Sequence, residues 1–125
     1  MNNKICLVTV ASSGLGQAIA TGLARQGATV VLACRNLARA TATRERIQAL
    51  TGNPNIEILE LDLASLQSVQ ACAAAYHERY TRLNVLVHNA AALVGRRIVT
   101  PDGLELMFAT NHLGPFLLTQ LLLDV

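Results

Sequence analysis

Apolar runs of strand length alternate with helix-length periodic segments along the whole chain: KICLVTV (4–10), ATVVLAC (28–34), IEILELDL (56–63) and NVLVHNAA (84–91). This alternation restricts the fold more than any other feature, because strands separated by helices pair in parallel and bury both faces of the sheet under the crossovers. After the first strand, Leu15, Ile19 and Leu23 recur at helical spacing until Gly27 ends the helix. The second helix spans Asn36 to Leu50, with Leu37, Ala40, Ile47 and Leu50 inward, Arg39, Arg44, Glu45 and Arg46 toward water, and TGNPN as a break. Ser65 caps a third helix carrying Leu66, Val69, Ala73 and Tyr76. A last helix is expected to start near Asp102, with Glu105 three residues later as its capping partner, and to run to the end.

Right-handed crossovers and a glycine turn after strand one give a partial doubly wound parallel sheet of four strands in the order 3-2-1-4. This is the leading part of a Rossmann-like three-layer α/β/α fold. The 125 residues suit one such domain, incomplete, across 1–125. A composition 52% hydrophobic and 14% charged excludes disorder. The net charge of +2 rests on nine arginines and one lysine without a run, and with no Trp and 3% aromatics a nucleic-acid surface is excluded. Cys6, Cys34 and Cys72 have neither CxxC spacing nor His partners, so no metal site is expected and buried free thiols fit a reducing compartment. No apolar stretch approaches the roughly 20 residues of a membrane span, and a cytoplasmic location is expected.

The stretch TVASSGLGQA, Thr9 to Ala18, follows strand one and opens helix one. Gly14 and Gly16 let the backbone approach a pyrophosphate, Ser12 and Ser13 can donate, and the helix starting near Leu15 presents unpaired N–H groups and a positive dipole end. Position makes this a dinucleotide turn rather than a steric one. Val10 stands where a first glycine is expected, and a branched residue is stiff there, which marks the loop as an impaired version of a real site. About 20 residues on, an acid would select NAD and a base NADP. The chain offers Cys34, Arg35 and Asn36 without a carboxylate, so Arg35 points to the 2′-phosphate of NADP.

Together TVASSGLG, VVLACRN, LDLASLQSV, LNVLVHNAA and DGLELMFATNHLGPFLLTQLLLD resemble the short-chain dehydrogenase/reductase superfamily, in order and over essentially the whole chain. Within it they are most similar to the retinol dehydrogenase, protochlorophyllide reductase and WW-domain oxidoreductase branches. The resemblance implies NAD(P)-linked interconversion of alcohols and carbonyls. It places the family's TGxxxGxG turn on Thr9, Val10, Gly14 and Gly16, and its adenine-contacting pair on Asp62 and Leu63. Its NNAG segment falls on His88, Asn89, Ala90 and Ala91, two of four letters differing, and its structural and catalytic Asn on Asn111. Leu104, Phe108 and Asn111 share a helical stripe, which sets an amide on an otherwise buried face. Pro115, at i+4, cannot donate to the Asn111 carbonyl, so a helix break is expected there, and in the family that carbonyl holds a relay water. His88 and His112 are read as structural.

Hydride transfer to a carbonyl also needs a proton donor, and the family uses a Tyr with a Lys four residues later, and a Ser. The chain contains no YxxxK: Tyr76 and Tyr80 have no following Lys, and Lys4 precedes strand one. By itself the polypeptide is therefore expected to bind part of a dinucleotide without catalysing, as the N-terminal portion of an NADP-dependent oxidoreductase. A non-catalytic nucleotide-binding or regulatory module, or a decayed remnant, are the alternatives. The segment FLLTQLLLDV is apolar nearly all round, and self-association through helix 102–125 is expected.

Overall fold

A computed structural model describes residues 1–9 and 14–125 of the chain. Strands β1 (Ile5–Thr9), β2 (Thr29–Cys34), β3 (Ile56–Glu60) and β4 (Val85–Val87) form a parallel sheet in the order β3-β2-β1-β4. This is the expected order and the Rossmann-like class. Strands three and four are shorter than the apolar runs that announced them: Leu61 makes the last bond to β2, and 62–63 and 88–91 leave the ladder to build the loops at its C-terminal edge.

Alternation along the central strands divides the core into two layers. Cys6, Val8, Val30 and Leu32 pack with Ala20, Ala24, Ala40 and Ile47 of helices α1 (Gly14–Arg25) and α2 (Leu37–Thr51). On the opposite face Leu7, Val31 and Ala33 meet Val69, Tyr76 and Leu118 of α3 (Leu66–Arg79) and α5 (Gly114–Leu122). Every second side chain feeds one layer, as a pleated strand buried on both faces requires.

Three helical expectations are corrected. On α1 the buried residues are Gly16, Ala20 and Ala24, one position on from the expected stripe, and Leu15 is 70% exposed. Small residues let the helix approach the sheet closely, while Ile19 and Leu23 flank the contact as partly buried residues. On α2, Ala40, Thr43 and Ile47 are buried, whereas Leu37 and Leu50 lie largely in solvent. The last helix begins as α4 (Leu106–Phe108), not near Asp102, and continues through a π-helical turn (Ala109–Leu113) into α5. Glu105 is its N-cap, accepting from the Met107 and Phe108 N–H groups at 2.7 and 3.0 Å. Asp102 instead sits in the turn before it, and its carboxylate serves another helix.

Candidate cofactor site

The chain places β2 and β3 on one side of β1 and β4 on the other, so the C-terminal ends of β1 and β4 flank the switch point where open α/β sheets bind ligands. Thr9 closes β1 with no exposure, and its Oγ1 accepts from the N–H groups of Asn89 (3.0 Å) and Ala90 (3.3 Å) while donating to the Val87 carbonyl (3.4 Å). One buried hydroxyl thus stitches the end of β1 to the exit of β4. Gly14 opens α1 at φ 59°, a backbone that β-carbon-bearing residues rarely adopt, and Gly16 is buried against the sheet. Val10, Ser12 and Ser13 lie outside the described residues.

A cleft of about 280 Å³ brings together Arg35, Asn36, Asp62, Leu63, Ala90 and Ala91 of the sequence-derived site. Thr9, Gly14, Leu15, Gly16 and Asn89 are not among its lining residues. Three segments build the cleft. Arg35 and Asn36 follow β2, where Asn36 caps α2 by accepting from the Arg39 N–H at 3.0 Å, so its side-chain oxygen serves the helix. Asp62 follows β3: its N–H donates to Ser68 Oγ at 2.8 Å, and its Oδ1 accepts from the Ala64 N–H at 2.9 Å. Ala90 and Ala91 follow β4, their small side chains leaving room.

Arg39 also lines the cleft and was missed, because at the sequence level it counted as part of the solvated face of α2. The available signal was spacing: Arg39 lies four residues after Arg35, and the cap folds the first turn of α2 back toward the strand end. At about 280 Å³ the cleft falls just below the roughly 300–1,000 Å³ of sites for drug-sized ligands, room for one end of a dinucleotide rather than the whole. Two cations beside an oriented carboxylate and small apolar walls fit a phosphorylated adenosine. A larger open groove of about 630 Å³ runs between β3 and α3, but it lies along the outer sheet edge, away from the switch point.

Asn111 is not on a buried face: it and Phe108 are exposed, and Leu104 precedes the helix. Its amide instead clasps one backbone residue from both sides, Oδ1 accepting from the Ala92 N–H at 2.7 Å and Nδ2 donating to the Ala92 carbonyl at 2.9 Å. The helix break expected at Pro115 does not occur: the chain stays helical from Leu106 through Leu122, with a π turn just before the proline in which the Gly114 N–H donates to the Ala109 carbonyl five residues back. Pro115 has no N–H to offer the Asn111 carbonyl.

Residues 4–125 match the sequence model of the family described as short chain dehydrogenase. The chain belongs to that family. It is 41% identical over 121 residues to human retinol dehydrogenase 13, covering 97% of this chain and 37% of that protein. To the human WW domain-containing oxidoreductase it is 47% identical over 122 residues, covering 98% of this chain and 30% of that protein. The chain thus spans about a third of the length of these relatives. Among solved structures, a short chain dehydrogenase from Shigella flexneri 2a complexed with NADP superposes with a TM-score of 0.82 at 32% identity, covering 98% of this chain and 53% of that one.

Within this short-chain dehydrogenase chain neither tyrosine is set up as an acid. Tyr76 is fully buried, donates to the Arg82 carbonyl at 2.8 Å, and has its pKa pushed well above the phenol range by burial, with Tyr80 and Cys6 adding to it. Burial also raises Tyr80, helped by Glu57 and opposed by Arg79. His88 bonds through Nε2 to Thr119 Oγ1 at 2.7 Å, and His112 stacks between Phe108 and Phe116 at 5.4 and 6.4 Å between ring centres. All three cysteines are buried, and burial pushes Cys72 up to about 11. Among the described residues no helix is long and apolar enough to cross a membrane.

Proposed function

We propose that residues 1–125 form the incomplete dinucleotide-binding domain of an NADP-dependent oxidoreductase acting on alcohol or carbonyl substrates. The observation that carries the choice of NADP is the pair of arginines, Arg35 and Arg39, lining one cleft with Asp62 and Leu63. Arg35 and Arg39 bind the 2′-phosphate, Asp62 and Leu63 meet adenine, and Gly14, Leu15 and Gly16 with Ser12 and Ser13 take the pyrophosphate. Asn89, Ala90 and Ala91 line the passage toward the nicotinamide, held to β1 by Thr9. Asn111 fixes the strand-four loop through Ala92 and lends its carbonyl to proton relay. The bound cofactor supplies the hydride.

These 125 residues contain no Tyr and Lys at the family's spacing, and burial makes Tyr76 and Tyr80 poorer acids rather than better ones. The chain alone is therefore a binder without turnover. Self-association belongs to the same reading, supported by Phe108, Phe116 and Leu123, which are 53%, 58% and 68% exposed on the last helical segment. The buried thiols of Cys6 and Cys72 suit a cytoplasmic setting.

Calorimetry with NADPH and NADH tests the reading. NADPH should bind about tenfold or more tightly, and Arg35→Ala should abolish the preference, a loss on the order of 1.5–3 kcal/mol for a hydrogen-bonded charge. Equal binding of the two cofactors, or binding of neither, overturns it.

A further inference from the structure

We propose that Asp102 is a positioning residue for the adenine wall of the cleft, acting across 36 residues of sequence by capping α3; this rests on the cofactor reading above. The N-terminus of α3 is unusually well closed. Ser65 Oγ accepts from the Ser68 N–H at 3.2 Å, the Val69 N–H donates to the Ser65 carbonyl at 3.1 Å, and the Leu66 N–H donates to Asp102 Oδ2 at 3.0 Å. Ser68 in turn receives the Asp62 N–H on its hydroxyl, and the Ser65 N–H returns to the Asp62 carbonyl at 3.0 Å. The first turn of α3 and the adenine-side loop 61–65 are therefore one hydrogen-bonded unit, and Asp102 is its only bond from the turn that precedes α4 among those described.

That turn is rigid in its own right. The Thr100 N–H donates to the Leu104 carbonyl at 2.7 Å, the Gly103 N–H to the Thr100 carbonyl at 2.9 Å, and the Leu106 N–H to the Ile98 carbonyl at 2.8 Å. Gly103 takes φ 76° to make it. Two residues past the turn's glycine, Glu105 caps α4. Residues 102 and 105 thus hold two helices from one turn, and the segments joined to those helices line opposite walls: the loop residues Asp62, Leu63 and Ala64 just before α3 on one side, Leu106 of α4 and Thr110 of the π turn on the other. The carboxylate of Asp102 also meets the positive end of α3. Its bond fixes how far the adenine wall stands from α4, so it governs how the cleft reads the base.

The test compares wild type with Asp102→Ala and Asp102→Asn, since Asn keeps an oxygen that can accept from Leu66. Calorimetry with NADPH and with its hypoxanthine counterpart, which lacks the 6-amino group, gives affinity and base discrimination. Asp102→Ala should weaken NADPH at least fivefold and bring the discrimination toward one, while Asp102→Asn should stay within about twofold of wild type on both. Amide hydrogen exchange without ligand should show faster exchange across 61–66 in Asp102→Ala alone.

Unchanged exchange in that segment shows that Asp102 does not hold the wall, and overturns the proposal whatever the ligands do. Weakened binding of both nucleotides in equal proportion reads as a general loss of structure and also overturns it, as does failure of Asp102→Asn to restore binding. If wild type binds neither nucleotide while exchange responds as expected, the cofactor reading has failed. The proposal then falls with it, though the clip itself stands.

Discussion

The two flanks of β1 are built differently. Toward β2 and β3 the ladder is five residues long on each pair, and Val30 to Ala33 of the doubly paired β2 have no exposure. Toward β4 only Cys6, Leu7 and Val8 find partners, and all three residues of β4 are half-buried. Beside β4 lies a groove lined by Leu83, Leu86, Leu122, Leu123 and Val125, of which Leu123 is largely exposed. β3 and β4 are both edge strands paired on one side alone, but β3 buries Ile56 and Leu59 on a five-residue ladder, whereas β4 has a three-residue ladder and no fully buried side chain. Stability is thus concentrated in the β1–β2–β3 flank, which also holds the arginines and the Asp62 loop.

Leu7 and Leu86 make the sharpest comparison, because they are register partners and pack into the same layer. Leu7→Ala should cost about 2–5 kcal/mol, as deletion of a fully buried leucine does. Leu86→Ala should cost about half as much, since it removes a side chain still partly in water. Urea denaturation of both variants measures the difference, and equal losses would show that the β4 flank is as closed as the other.

At Gly114 the two flanks come into close backbone contact. A β-carbon added at Gly114 would lie 2.5 Å from the Leu63 carbonyl oxygen and 3.0 Å from that of Ala109, both backbone atoms that cannot rotate away. Gly114→Ala should therefore cost about 1–3 kcal/mol by overpacking. Gly22→Ala, in the middle of α1 with nothing within 4 Å of the new carbon, should instead stabilise by up to about 1 kcal/mol. If the two substitutions shift the denaturation midpoint alike, the close approach of the π turn to the adenine loop is not what demands glycine.

What the sequence disclosed follows the same division. The strands, their order, the Ser65 cap and the Gly27 helix end are local signals, carried by residues that act where they stand. Burial was misplaced where size mattered more than hydrophobicity: Gly16, Ala20 and Ala24 face the sheet because they are small, and a pattern search for large apolar residues selects Leu15 instead. Asp102 and Asn111 were misread for a different reason. Each spends its side chain on backbone far away, Leu66 for one and Ala92 for the other, and no spacing rule reports a partner 36 or 19 residues distant. Arg39 was hidden because solvent exposure and a ligand-facing position look the same in a helical pattern.

The smallest expected effect lies on the open flank, at His88. Thr119 Oγ1 spends its one proton on the Pro115 carbonyl at 2.8 Å, so it must accept from His88, which fixes the proton on Nε2. Protonating the ring adds a proton at Nδ1 and leaves that bond in place, so the hydrogen bond does not oppose charging. Burial of the ring does, and it lowers the His88 pKa below the usual value. The sign follows: the unfolded chain takes up the proton first, so stability is intact above about pH 6.5 and is lost as pH falls through the lower folded pKa. Because the residue is exposed at the surface, the loss should be small. Comparing wild type with His88→Gln at pH 7.5 and 5 isolates it from His77 and His112, which both proteins share. Wild type should lose more stability on acidification than His88→Gln, and a difference between them that does not change with pH would show that the β4 exit is already as wet in the folded chain as in the unfolded one.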